Sequence, residues 1–326
     1  MSVNIAIIGA GNIGSRHLQS LQKVDLNLNI MVIDPDSKSL GISKKRFSQV
    51  KSSKTKKTVS YNQRIDSIKN KVDLAIVATN ADIRRNVIEQ IIQKVSVKYF
   101  ILEKVVFQSN KDFKDIITLF KKNKIKAWVN CTRRIMPLYT KIMEKLSGTG
   151  RVFMSVEGGG WSMSCNGIHF IDLFSFITNN NKLSLDGSRL GISSFKNKRG
   201  DYIECNGMLT GSLTDGSVLN LIEYPDSKYS TIIIINGSKS RYIIFESMGT
   251  VIEAHKENNF NWQNNSFQKI VISNVMNSQV QKIINTGNCD LTTLEDSFLL
   301  HKPLLKSFTD QIFKQHGISY KKCPIT

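Results

Sequence analysis

The residues best suited to chemistry begin with a run of six, Gly9-Ala10-Gly11-Asn12-Ile13-Gly14. The run follows the apolar stretch Ile5-Ala6-Ile7-Ile8, opens a segment of helical spacing, and is followed 20 residues past Gly14 by Asp34 at the end of a second apolar stretch. In that context the glycines read as a dinucleotide-binding turn. Gly9 allows the tight turn, Gly11 lets the backbone approach a pyrophosphate, and Gly14 lets the helix pack on the strand. Free N–H groups of the helix start, at Asn12 and Ile13, then face the anion. Asp34 is suited to accept hydrogen bonds from the adenosine ribose hydroxyls and to repel a 2′-phosphate, which favours NAD over NADP; the nearby Lys38 softens that repulsion. A glycine turn without a ligand, and an Asp34 that only shapes the turn before Pro35, are the competing readings.

The elements that must hold these residues follow from periodicity. Asn4–Ile8, Asn29–Ile33, Val72–Ala78, Tyr99–Leu102 and Ala127–Val129 are short runs rich in β-branched and other apolar residues, the pattern of strands buried on both faces. Between them, sets such as Ile83, Val87, Ile88, Ile91 and Ile92 repeat at helical spacing. Alternating strands and helices imply a parallel sheet. After about residue 150 the pattern changes. Arg151–Glu157 reads as a strand and Gly167–Ile177 as a helix. Tyr202–Leu209, Ser217–Tyr224, Tyr229–Asn236, Ser240–Phe245 and Thr250–Ala254 read as strands with hairpin punctuation. The tail returns to helix, with Thr292 and Glu295 spaced as a capping box, and Pro303 is expected to kink or interrupt it. The expected fold is α/β: an N-terminal Rossmann doubly wound parallel sheet plus a C-terminal α+β domain with a largely antiparallel sheet. The expected domains are 1–130 for nucleotide binding, 131–290 for substrate binding and oligomerisation, and 291–326 as a helix packing back on the first domain.

Composition narrows the class. The chain has 326 residues, 40% hydrophobic and 22% charged, enough for two domains at roughly 150 residues each. No apolar run suits a membrane span and no signal-peptide pattern opens the sequence. The five cysteines are odd in number and lack CxxC spacing, which argues against a disulfide framework or a structural zinc site and fits the reducing cytoplasm. No metal is expected. The net charge is +19, and the densest basic stretch runs from Lys38 to Lys57 without an acid. Its only aromatic residue is Phe47, so it reads as a solvated face rather than a nucleic-acid surface. HExxH, GxSxG, Walker and EF-hand patterns are absent from the sequence.

In order and spacing, several short segments resemble the Gfo/Idh/MocA oxidoreductases across nearly the whole chain. They are the glycine run, Asp34-Pro35-Asp36, Val77-Ala78-Thr79-Asn80, Glu103-Lys104-Val105, Asn130-Cys131-Thr132-Arg133-Arg134, Gly167-Ile168-His169-Phe170-Ile171-Asp172-Leu173 and Thr293-Leu294-Glu295-Asp296. Two departures stand out: Val105 replaces the family's proline after the lysine, and Cys165 replaces the acid that many members carry four residues before the histidine.

The resemblance implies hydride transfer between nicotinamide and a hydroxyl-bearing carbon of a sugar, nucleotide-sugar or cyclitol, with surface-polysaccharide precursor synthesis as one setting. It makes His169 the general acid/base, a role suited to imidazole, with Asp172 orienting it or capping neighbouring groups. Lys104 would hydrogen-bond the reacting oxygen. Thr79, Asn80 and Glu103 would serve the cofactor, with Glu103 contacting the nicotinamide ribose or positioning its loop. Arg134, Trp161, Cys165 and Asn166 would line the substrate pocket, although Arg133 or Arg134 could equally pair with a structural acid and Trp161 could pack in the core. Arg16 and His17 are left between the pyrophosphate, the cleft and solvent. The implied partners are a small sugar-type substrate and a second copy of the chain, as homodimer or homotetramer, and neither nucleic acid nor membrane. The alternative reading is a catalytically inactive NAD-binding regulator of the same fold.

Overall fold

The computed structural model describes residues 2–51, 53–197, 200–225, 227–268 and 272–326. The chain divides into two compact units.

The first unit is built on strands β1 (Val3–Ile8), β2 (Leu28–Ile33), β3 (Lys57–Asn62), β4 (Val72–Val77), β5 (Val97–Leu102) and β6 (Lys126–Val129). Helices α1 (Asn12–Leu21), α2 (Ser37–Ser48), α3 (Ala81–Lys94) and α4 (Asn110–Lys122) alternate with them. The strands pair in parallel in the order β6-β5-β4-β1-β2-β3. This is the doubly wound order, whose ligand crevice lies where the order reverses, between β1 and β4. The central strands are continuous apolar runs because both faces are covered: Ile5 to Ile8 and Leu74 to Val77 are buried. Strand β3 escapes sequence reading because it is an edge strand with polar and charged residues at alternate positions. The basic stretch forms α2 and its exit, with Lys44, Lys45, Lys51, Lys54 and Lys56 exposed.

The second unit carries β7 (Phe153–Gly159), β8 (Ser184–Asn197), β9 (Gly200–Ser212), β10 (Val218–Tyr224), β11 (Ile232–Asn236), β12 (Ser240–Phe245), β13 (Thr250–His255) and β14 (Gln263–Ser266). They form one sheet in the order β14-β13-β12-β11-β7-β10-β9-β8. Only the β7–β10 pair is parallel among the described pairings. Helix α5 (Pro137–Leu146) packs on α6 (Met163–Thr178), and α6 packs on β9 and β10. Helix α6 is apolar on most sides, from Met163 through Ile177, and is correspondingly buried.

The last elements of the chain are shared between the two units. Helix α7 (Ile272–Thr286) and the two-residue strand β15 (Thr292–Thr293) belong to the first unit. There α7 packs on α1, and β15 adds an antiparallel edge to β6. Helix α8 (Leu294–His316) groups with the second unit from Glu295 onward. Its stripe Leu300, Leu304, Leu305, Phe308 and Ile312 is buried. Alongside it, Ser307 Oγ and Gln311 Nε2 donate to the carbonyls of Leu185 and Leu190 on β8. An apolar stripe states that a helix is covered, not what covers it. Pro303 does not interrupt α8. The carbonyl it deprives of a partner is that of Leu299, an exposed residue whose backbone oxygen water can satisfy.

Candidate active site

The glycine run lies at the reversal of strand order. Gly9 adopts φ +95°, and a Cβ there would stand 2.8 Å from the Ala78 carbonyl oxygen on the neighbouring strand end. A Cβ on Gly14 would stand 1.8 Å from the Gly9 carbonyl oxygen. Both positions therefore require glycine for the fold itself. Gly11 is different: a Cβ there would meet no protein atom within 4 Å. Its lack of a side chain keeps open space in front of the α1 N-terminus, whose N–H groups receive no side-chain cap. An open, uncapped helix start behind two sterically required glycines fits the pyrophosphate of a dinucleotide.

Asn12 is exposed at that helix start, and Arg46 of α2 donates to its Oδ1 (3.1 Å) and to Ser15 Oγ (2.6 Å). Asp34, at the end of β2, accepts from the Ala10 N–H at 2.6 Å and the Asp36 N–H at 2.9 Å. These bonds aim it at the glycine loop, and each carboxylate oxygen keeps a lone pair for a ribose hydroxyl. Thr79 and Asn80 follow β4 directly, with Asn80 exposed as the N-cap of α3.

Lys104 follows the C-terminal end of β5 and is half-buried, in a segment otherwise buried from Glu103 to Phe107. The Lys104–Val105 peptide is cis, with valine where the family's proline would stand. Arg84, 2% exposed on α3, holds this segment. Its guanidinium donates to the carbonyl oxygens of Glu103, Val105 and Val106, and to that of Thr79 after β4. Nothing in the local sequence marks Arg84, because its partners are backbone atoms up to 22 residues away.

Glu103, expected either to contact the nicotinamide ribose or to position its loop, makes contacts within the fold. Its side chain is buried, and one carboxylate oxygen accepts from His17 Nε2 at 2.7 Å and Asn130 Nδ2 at 2.6 Å. Burial alone would raise the carboxyl's pKa. The bonds from His17 and Asn130 and the charge of Lys104 outweigh burial and hold it below the usual carboxylate range. His17, which the sequence leaves unplaced, is fully buried.

In the second unit, α6 places Cys165 and His169 four residues apart on one face, both half-buried. Its start is held by two glutamates that sequence reading missed. Glu223 of β10 accepts from the N–H groups of Ser162 (3.0 Å) and Met163 (2.5 Å), and Glu204 of β9 accepts from that of Ser164 (2.8 Å). Burial raises the Glu204 carboxyl to about 7; the Ser164 N–H works against this and the charge of Glu223 adds to it. Burial likewise raises Glu223. These acids sit on strands 40 and 60 residues beyond the helix start they cap, so no local motif could have shown them.

Three expected substrate residues are engaged within the fold. Trp161 donates its indole N–H to the Ile222 carbonyl at 3.0 Å and meets Phe170 edge-on at 5.4 Å, which is the packing alternative. Asn166 Nδ2 donates to the Trp161 carbonyl at 2.7 Å. Arg134 forms a two-bond fork with the buried Asp172, at 2.9 and 3.1 Å, a pairing of the kind the sequence left open for this arginine. Arg133 forks onto Glu246 in the same way and lies 4.0 Å over the Phe170 ring. Burial would raise the Glu246 carboxyl, but the Arg133 charge prevails and holds it low. Among the described residues, no group of three or more His, Cys, Asp or Glu side chains could hold a metal ion, and no helix is long and apolar enough to cross a membrane.

Residues 3–131 match the GFO_IDH_MocA family model, described as an oxidoreductase family with an NAD-binding Rossmann fold. No curated protein matches the chain in sequence. Among solved structures, UDP-N-acetylglucosamine 3-dehydrogenase GnnA from Acidithiobacillus ferrooxidans is 14% identical, with a TM-score of 0.69 over 93% of this chain and 96% of that one. An oxidoreductase from Agrobacterium radiobacter, in complex with NAD+, L-tartaric acid and magnesium, is 13% identical, with a TM-score of 0.68 over 93% and 94%. A super-repressor mutant of Gal80p from Saccharomyces cerevisiae is 13% identical, with a TM-score of 0.69 over 94% and 95%. At such identities these likenesses establish the fold.

Proposed function

Given that residues 3–131 belong to the GFO_IDH_MocA oxidoreductase family, with its NAD-binding Rossmann fold, we propose that the protein is an NAD-dependent dehydrogenase acting on a hydroxyl-bearing carbon of a sugar, nucleotide-sugar or cyclitol. The observation that carries this reading is the pairing of an open Gly11 cradle at the sheet's reversal point with a lysine placed just past the end of β5. A nucleotide site alone would suit many functions; a lysine at the strand ends adds a group able to act on a reacting oxygen.

NAD, when bound, supplies the hydride acceptor. The chain's own residues deal with the oxygen and its proton. As the carbon loses hydride, its hydroxyl must lose a proton, and His169 is assigned as the base that takes it. Lys104 is assigned the hydrogen bond that stabilises the developing alkoxide character. Asp34 selects the diphosphate-linked adenosine that lacks a 2′-phosphate. Arg134 and Asp172 fix the inner part of α6 and thereby the register of His169.

Formation of reduced nicotinamide against a panel of sugars, sugar acids, cyclitols and UDP-linked sugars tests this reading. UDP-N-acetylglucosamine belongs on the panel because the GnnA relative is named as its 3-dehydrogenase. The second reading, an NAD-binding regulator, is favoured by the thiol of Cys165 one helical turn before His169, where a relay carboxylate is missing. The likeness to Gal80p keeps it in view. Tight NAD binding with no turnover across the panel would support it over the dehydrogenase.

A further inference from the structure

Three polar side chains are buried beneath the loop that carries Lys104, where apolar residues would close the core at lower cost. His17 of α1 is 0% exposed, Asn130 at the end of β6 is 1%, and Glu103 at the end of β5 is 6%. Removing such groups from water is costly unless each finds partners, and even a paired buried charge is weak evidence for added stability. The three converge on a single atom. His17 Nε2 and Asn130 Nδ2 both lie within hydrogen-bond distance of Glu103 Oε1, at 2.7 and 2.6 Å. Facing an ionised carboxylate, which can only accept, His17 Nε2 acts as the donor. The other ring nitrogen, Nδ1, meets no hydrogen-bond partner among the described residues. The imidazole is therefore held through Nε2, by the residue preceding Lys104 and beside Asn130 Nδ2 at 3.4 Å.

The surrounding contacts give this anchor a direction. The glycine loop opens α1, and His17 lies on that helix just past Gly14. The Glu103 N–H donates to the Val77 carbonyl at 3.1 Å, and its own carbonyl accepts from Arg84. The backbone of the loop is thus held by β4 and α3, while the Glu103 side chain is held by α1 and β6. With both ends of Glu103 fixed, the chain direction entering Lys104 is fixed as well.

We infer that His17 is a positioning residue: through the Glu103 carboxylate it ties the dinucleotide-binding helix to the Lys104 loop and so sets the placement of the Lys104 amine. This rests on the reading of Lys104 as a residue that meets the reacting oxygen, but the placement can be measured without any substrate.

The test is isotope-coded acetylation of the full-length protein, with mass spectrometry following Lys104 against Lys111 and Lys306, whose side chains are 78% and 71% exposed. His17→Leu keeps bulk and removes the donor; His17→Gln returns an N–H at similar reach. Losing a hydrogen bond to an ionised group shifts a local equilibrium by roughly tenfold. Lys104 acetylation should therefore rise about that much in His17→Leu while Lys111 and Lys306 keep their wild-type rates, and His17→Gln should restore it.

NADH binding, followed by fluorescence titration, should change far less than the Lys104 rate. A merely structural histidine would lower the melting temperature without singling out Lys104. If His17→Leu fails to fold, Glu103→Met, which keeps the length and removes the acceptor, should show the same selective rise. An unchanged Lys104 rate in either folded variant, or no rescue by His17→Gln, would overturn the inference. Loss of the functional reading is seen separately, as normal turnover in Lys104→Met.

Discussion

Glu204 offers a test in which the sign and size of an effect follow from the structure. Its carboxyl lies on β9, largely buried against the start of α6, and shares that helix end with Glu223. Burial and the second carboxylate raise it from 4.5 to about 7 despite the Ser164 N–H. Each tenfold change in proton affinity is worth about 1.4 kcal/mol, so holding the group ionised in the folded protein costs roughly 3 kcal/mol. The folded-state value is the raised one. Its contribution to stability is therefore fully present below the unfolded value of about 4.5 and is lost as pH rises through about 7. Glu204→Gln keeps an acceptor for Ser164 and removes the charge. Urea unfolding should find variant and wild type nearly equal near pH 4. Near pH 8.5 the variant should be more stable by about 3 kcal/mol. An advantage independent of pH, or a variant less stable at the higher pH, would refute the argument that an ionised carboxylate is disfavoured there.

The other expected effects separate fold from binding. Gly11→Ala should leave the melting temperature unchanged, because its Cβ meets no protein atom within 4 Å, yet weaken NADH binding about tenfold or more by filling the pyrophosphate cradle; calorimetric titration beside a thermal melt checks both. Wild type should bind NAD(H) more tightly than NADP(H), and Asp34→Ala should narrow the gap in the same titration; tighter NADP(H) binding by wild type would remove Asp34 from its role. Asp172→Asn should cost about 3 kcal/mol in urea unfolding, because it leaves the Arg134 fork with a neutral partner in a buried site.

Local chemistry was legible in the sequence; long-range pairing was not. Gly9 and Gly14 announce themselves because a tight turn and a close helix approach admit no Cβ, and their spacing is fixed by one strand–turn–helix unit. The parallel sheet followed from apolar runs that need cover on both faces. The β8–β9 hairpin was only half seen, since β8 mixes glycine, serine and charge along an edge of its sheet. The fork between Arg134 and Asp172 spans 38 residues and the contact between His17 and Glu103 spans 86. Neither distance leaves a periodic trace, so neither pairing could be read from the sequence. Glu204, Glu223 and Arg84 were missed for the same reason: sheet topology, not neighbouring sequence, brings them to their partners.

The central claim is hydride transfer to NAD assisted by Lys104 and His169, and steady-state formation of reduced nicotinamide on the best substrate of the panel tests it most directly. With wild type, Lys104→Met, His169→Ala and the double variant compared, each single change should lower kcat about 10²–10⁴-fold. NAD affinity, measured separately, should stay near wild type. The double variant should lose less than the product of the two single losses, because both residues serve one proton transfer. Near-normal turnover in either single variant would contradict the account for that residue, and normal turnover in both would contradict the mechanism as a whole.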